Sequence, residues 1–311
     1  TPTFIFLSGF VLFYSYYSRP LDRGLIGRFY GKRLLYIVVP YVIFSVVYYW
    51  LKHFYYEPDR AFADSFADFL NKFAIGKAHT HLYFVFINAQ FYVLFPLLML
   101  LFKRAPSVVN WALPAGVVIQ IGFILLNYHE LHLPNRMSFA PSYATHYLLG
   151  ATLGIHYDRL KRWLVVSREH ATPGRVAAWV SLAAVWLTAG AVHVGVYYDV
   201  RMNGAVYHQF VYDLLWGTYT LVGAVLLLQI AFALQRFAPS PILKFMQRLA
   251  ALSFGIYLIH PLFLFFYRMY PTHSGSSWAH HLWYAGGFAV ALGCSWIVVG
   301  LAARYLPGAS L

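Results

Sequence analysis

The run HLYFVFINAQFYVLFPLLMLLF, residues 81–102, decides the fold class. It contains no Asp, Glu, Lys or Arg. A helix needs about 20 apolar residues to cross the hydrocarbon core of a bilayer, and this run supplies them. The rest of the chain repeats the pattern. Of its 311 residues 60% are hydrophobic, 20% aromatic and only 11% charged, whereas a soluble domain carries about 25% charged residues. The apolar residues fall into blocks without Asp or Glu, separated by short basic loops. The expected fold is all-α, a polytopic integral membrane helical bundle formed as a single domain over residues 1–311. Nine spans are expected, at about 3–18, 34–51, 81–102, 108–127, 140–156, 176–196, 209–234, 250–269 and 281–303.

Charge sets the expected orientation. Alternate loops (19–33, 103–107, 157–175, 235–249 and the tail after 303) hold 16 of the 23 Lys and Arg, so they are assigned to the cytoplasm. The remaining basic residues are Lys52, Arg60, Lys72, Lys77, Arg136, Arg201 and Arg268. The net charge of +13 is therefore topological rather than a nucleic-acid face. This arrangement puts the C-terminus in the cytoplasm of a multi-pass plasma-membrane protein and residue 1 outside. The chain opens inside an apolar stretch, FIFLSGF (4–10), with no initiator Met or leader, so a tenth helix is expected upstream of Thr1. The single Cys, Cys294, permits no internal disulfide.

One loop differs from the others. Across 57–80, Phe62, Phe66, Phe69, Leu70 and Phe73 recur at helical spacing with Asp64, Asp68 and Lys72 between them. This is an amphipathic helix, lying on the outer interface or packed on its neighbours.

Every Asp and Glu lies in a loop or at a span end, and Asp213 comes nearest to entering one. That argues against an ion-coupled transporter, which places carboxylates at mid-membrane. The polar groups that do enter spans include Asn88, Gln90, His146, His193 and His260. Each has two readings, a shared functional interior or hydrogen bonding between helices. His-Thr-His at 79–81 and His-His at 280–281 fall at span edges, and no span carries a metal-ligand spacing, so no metal is expected.

Four stretches together resemble the acyltransferase-3 family of integral membrane acyltransferases: FIFLSGFVL (4–12), FYGKRLLYIVVPY (29–41), HLYFVFINAQFYVLFPLL (81–98) and LSFGIYLIHPLF (252–263). HYLLGATLG (146–154) is also similar to the family pattern. Arg33 followed by Tyr36, where many members carry a second Arg, tilts the resemblance toward the branch acting on surface polysaccharides. The resemblance implies ten spans and a catalytic His on the helix expected before Thr1. It also implies acyl transfer from cytosolic acetyl-CoA, or succinyl-CoA, to a surface glycan, with no permanently bound cofactor. Acyl-CoA phosphates would need inner cations, and Arg28, Lys32 and Arg33 fit that demand, unless they serve topology alone. Candidate bases are His81, His146 and His260. Ser253 and Tyr257 share a helical face with His260, as catalytic helpers or as a packing face. Asn88 and Gln90 are candidate contacts to the acceptor or oxyanion, or interhelical links. SGSSW (274–278) falls on the outer side, wrong for a nucleotide. The expected partners are membrane lipid, acyl-CoA, a glycan acceptor and a candidate glycan synthase, with no nucleic acid. A glycan exporter or flippase without acyl chemistry is the alternative, and a non-catalytic subunit of a synthase a third reading.

Overall fold

The computed structural model describes residues 1–272 and 275–305. Ser274 of the SGSSW run and the C-terminal tail lie outside the described residues. No strand occurs among the described residues. The helices are α1 (Pro2–Tyr16), α2 (Arg23–Arg33), α3 (Val39–Tyr56), α4 (Phe62–Ala74), α5 (Tyr83–Arg104), α6 (Ala112–Leu126), α7 (Ala144–Ile155), α8 (Tyr157–Leu164), α9 (Pro173–Asn203), α10 (Gln209–Phe237), α11 (Ser240–Arg268) and α12 (Ser277–Tyr305).

Each of the nine expected spans has a helix at its centre. Among the described residues seven helical runs are long and apolar enough to cross a membrane, and α1 is a shorter apolar helix of 15 residues. Two differences have physical causes. The segment 19–33, expected as a loop, is largely helical, and the run Arg23–Tyr56 is continuous. Pro40 has no N–H to return to the preceding turn. The helix widens there into a π turn over Leu34–Val38, with the Val39 N–H reaching the Leu34 carbonyl. The span expected at 140–156 is the 12-residue α7 preceded by 3₁₀ turns at Arg136–Ser138 and Ala140–Tyr143. At 1.5 Å per residue α7 covers only about 18 Å. Most of its residues are buried in protein, the condition under which irregular backbone is tolerated at membrane depth.

The chain divides into two compact units, each drawn from separate stretches. The first comprises Thr1–Gly31 and Phe86–Phe237. Its centre is α1 against α7, where backbones touch. A Cβ on Gly9 would strike the Tyr147 carbonyl, and one on Gly150 the Phe6 carbonyl. Such close approach between membrane helices replaces the hydrophobic drive that lipid removes. Phe91 stacks on Tyr147 at 4.1 Å, and Phe13 meets Phe95 and Phe102 edge-on or tilted at 5.2 and 5.5 Å. Segments expected on the same side of the membrane meet one another here. Lys103 Nζ donates to the Arg19 carbonyl at 2.5 Å, and Arg236 pairs with Glu169 at 2.7 Å. From the opposite set, Tyr128 meets His208 and Arg136 meets Asp213.

The second unit comprises Lys32–Val85 and Ala238–Leu311. Here α11 packs on α12, with Gly255 under Val299 and Gly286 under the Tyr267 hydroxyl. The amphipathic α4 docks on α3 through Tyr41, which donates to the Phe73 carbonyl at 2.6 Å, and Tyr49, which donates to the Ser65 carbonyl at 2.8 Å. Phe69 is buried while Phe62, Phe66 and Leu70 stay exposed. The helix therefore packs on its neighbour with part of its apolar stripe and presents the rest outward. Asp68 on its polar side pairs with Lys72 at 2.7 Å and Arg60 at 3.4 Å.

Candidate active site

In the second unit four ring-bearing side chains gather around His81. The turn His79–Leu82 leads into α5, and its tight path folds His79 back on His81 so that their Nδ1 atoms lie 2.8 Å apart. Tyr48 of α3 packs on the His79 ring at 4.5 Å and meets His81 edge-on at 5.2 Å. Its hydroxyl donates to the Leu258 carbonyl at 2.6 Å, fixing it to α11. From α11, Tyr257 donates its hydroxyl to the His81 carbonyl. The His260 ring lies 5.7 Å from that of His81 and 5.9 Å from that of Tyr257. The structure thus brings together three residues expected from sequence, His81, Tyr257 and His260. The fourth member of that helical face, Ser253, is exposed and donates to the Ala250 carbonyl one turn back at 2.7 Å.

The hydrogen bonds fix some of the protons. His260 Nδ1 lies 3.2 Å from the Ile256 carbonyl, which can only accept. The neutral ring therefore carries its proton on Nδ1, and Nε2 keeps a lone pair. Between His79 and His81 one Nδ1 donates and the other accepts, while the His81 Nε2 is enclosed without a hydrogen bond of normal geometry. Burial, aided by the charges of Lys52 and His260, lowers the His79 pKa to about 4. Burial, then the charges of His79 and His260, takes His81 to about 3 against a weaker opposing pull from the Leu258 carbonyl. Both rings are neutral at pH 7. They are poor proton acceptors but sound N–H donors, because burial penalises the imidazolium form.

Two cavities reach this cluster. One of about 290 Å³ is lined by Tyr48, Lys52, His53, Lys72, Lys77 and His79. Another of about 440 Å³ lies along α11 and α12, with His260, Leu264, Tyr267 and Trp283 in its wall. His79, Tyr48 and Lys52 were not expected as site residues. His79 carried a signal in the His-Thr-His run, whereas nothing in the apolar stretch around Tyr48 distinguishes it from other tyrosines.

The remaining candidates lie elsewhere. In the first unit Gln90 spans the irregular segment before α7. Its Nε2 donates to the Ser138 carbonyl at 2.8 Å and its Oε1 accepts from the Ala140 N–H at 2.9 Å. This is the linking role that the sequence left open. Asn88 is buried. His146 is almost wholly buried beside Thr220, 3.0 Å from its Oγ1. The Thr220 hydroxyl donates to the Trp216 carbonyl at 2.7 Å, so it accepts from His146 Nε2–H. The enclosed His146 Nδ1 is then an unpaired base. Of the basic cluster, Arg28 and Lys32 are exposed and Arg33 is half-buried. A polar cavity of about 540 Å³, lined by Tyr17, Ser107, Asn110, His156, Asp158 and Arg159, lies among segments expected on the cytoplasmic side. Among the described residues no group of three or more His, Cys, Asp or Glu is arranged to hold a metal ion.

No curated protein and no solved structure gives a significant match to the chain. A family model described as an acyltransferase domain matches residues 1–300, across both units. A multi-pass helical bundle with a histidine-rich polar cluster, matched over nearly its whole length, belongs to the acyltransferase-3 family of membrane acyltransferases.

Proposed function

We propose that this acyltransferase moves an acetyl or succinyl group from cytosolic acyl-CoA to a hydroxyl of a cell-surface polysaccharide in the plasma membrane. The observation that supports this reading is the meeting of His79, His81, Tyr257 and His260 in a chain of this family. The acceptor O–H gives its proton to His260 Nε2 while its oxygen attacks the thioester carbonyl. The C–S bond then breaks, and the CoA thiolate leaves with the proton that His260 returns. The neutral His79 ring, packed by Tyr48 and with its Nδ1 accepting from His81, offers its Nε2–H to the developing oxyanion without carrying a charge into a dry site. Arg28, Lys32 and Arg33 neutralise the phosphates of the donor at the cytoplasmic mouth, with Arg33 foremost. The C-terminus is cytoplasmic in this arrangement, and a glycan synthase that delivers the acceptor is the natural protein partner.

The test uses membranes bearing the full-length protein, acetyl-labelled CoA and surface polysaccharide. Wild type transfers label to the polysaccharide. His260→Ala lowers turnover about 100-fold, in line with loss of a general base, and Arg33→Ala raises the KM for acetyl-CoA about tenfold, equivalent to about 1.4 kcal/mol. An exporter would deliver polysaccharide outside with no label on it, equally in all three proteins.

A further inference from the structure

We infer, on the acyl-transfer reading of the histidine cluster, that Lys52 and Lys77 select a donor whose acyl group ends in a carboxylate, and so favour succinyl over acetyl. The cavity of about 290 Å³ beside His79 lies within the second unit, among segments that charge bias assigns to the outer side. A donor entering from the cytosol would point its acyl end toward this cavity, because the acyl chain leads away from the CoA sulfur.

Local structure puts both lysines in the cavity wall. Lys52 follows Tyr48 by one turn of α3 and shares its face, so both line the cavity. The Lys52 charge acts on the His79 ring, the proposed oxyanion donor. Lys77 follows the end of α4. Gly76 takes a positive φ of 74°, with its N–H returning to the Phe73 carbonyl at 3.2 Å and that of Lys77 to the Lys72 carbonyl at 2.7 Å. This double closure of a helix end favours glycine, and it turns the chain so that Lys77 joins the wall.

The charge balance of the wall selects the ligand. It also holds the carboxylates of Glu57 and Asp68, and both are committed. Glu57 pairs with Arg60 at 3.0 Å. Asp68 pairs with Lys72 at 2.7 Å and accepts from the Tyr49 hydroxyl at 2.7 Å. Among the described residues Lys52 and Lys77 form no ion pair. A carboxylate offers its oxygens to such ammonium groups in charge-assisted hydrogen bonds, whereas the methyl of an acetyl group offers nothing. The bond changes are the same for either group. The acceptor oxygen bonds to the thioester carbon, the C–S bond breaks, and the acceptor proton ends on sulfur. Both lysines are exposed, so salt screens their charge. The Debye length falls from about 10 Å at about 0.1 M to about 3 Å at about 1 M, and the preference falls with it.

The test compares kcat/KM for labelled succinyl-CoA and acetyl-CoA with the same surface polysaccharide, in membranes bearing the full-length protein. The readout is the ratio of the two within each protein, which a general loss of fold or turnover leaves unchanged. Wild type should favour succinyl-CoA about tenfold at low salt, in keeping with a screened charge-assisted contact. Lys52→Gln and Lys77→Gln should each lower the ratio several-fold, and the double variant should bring it near unity. Lys52→Arg and Lys77→Arg should keep the preference, because the positive charge remains. If the Gln variants do not fold, wild type in high salt decides, where the ratio must fall. The proposal is overturned if wild type transfers acetyl as well as succinyl, if folded Gln variants keep the wild-type ratio, or if the ratio survives high salt. It is also overturned if the Gln variants slow both donors equally, which would assign the lysines to an anion of the acceptor or of a lipid headgroup. Transfer from neither donor would overturn the acyl-transfer reading itself, and this selectivity with it.

Discussion

His79 and His81 meet Nδ1 to Nδ1 at 2.8 Å, separated in the chain by Thr80 alone. One proton between two nitrogens satisfies both rings, while two imidazolium rings would set donor against donor. Folded pKa values of about 4 and about 3 lie below the ordinary value of 6.5. Below pH 6.5 the unfolded chain therefore takes up protons that the folded chain refuses. The stability this pair contributes is complete above pH 6.5 and is lost progressively as pH falls toward 4 and then 3. Thermal unfolding in detergent should show a falling midpoint from pH 7 to pH 4.5. The double variant His79→Asn, His81→Asn should have a flatter profile, and an unchanged slope would refute the pairing.

Gln90 stitches the irregular segment before α7 with both ends of its amide. Gln90→Leu leaves the Ser138 carbonyl and Ala140 N–H without those partners. Each buried unsatisfied group costs about 1–3 kcal/mol, so the variant should unfold at least several degrees earlier. Activity per folded molecule should hold. A variant that keeps its stability and loses turnover would show Gln90 to be a substrate contact instead.

The α1–α7 contact has no room for a side chain at Gly150. Gly150→Val drives its side chain into the Phe6 carbonyl of the facing helix. Overpacking of this kind costs about 1–3 kcal/mol, and a backbone that cannot move costs more. The yield of folded protein in size-exclusion chromatography should fall sharply. Gly122→Ala, where no neighbour stands within 4 Å, should behave as wild type.

Sidedness is open to direct labelling. In a Cys294→Ser background, a cysteine replacing Lys161 should react with a membrane-impermeant thiol reagent only after the cells are opened. One replacing Arg201 should react in intact cells. The reverse pattern would invert the proposed entry side for acyl-CoA and remove Arg28, Lys32 and Arg33 from the donor site.

The long apolar helices could be read from the sequence because a bilayer imposes a minimum length and excludes charge. The run 81–102 could be nothing else, and the helix found there covers Tyr83–Arg104. The same rule gave no sign that the helix within 140–156 has only 12 residues, because most of α7 is buried in protein and is freed from the length that lipid demands. The amphipathic stripe of α4 was legible from its spacing, but only the docking of Tyr41 and Tyr49 shows which part of that stripe is buried.

The sequence by itself determined that this is a helical membrane protein of the acyltransferase-3 family, since hydropathy and family motifs are local properties of the chain. Tertiary structure alone decided which polar residues meet. His81 and His260 are 179 positions apart, and so are brought together by packing rather than by any spacing. The Arg136–Asp213 pair likewise spans 77 positions. That pair is enclosed only when neighbouring helices close over it, and burial is what makes an ordinary carboxylate need a partner.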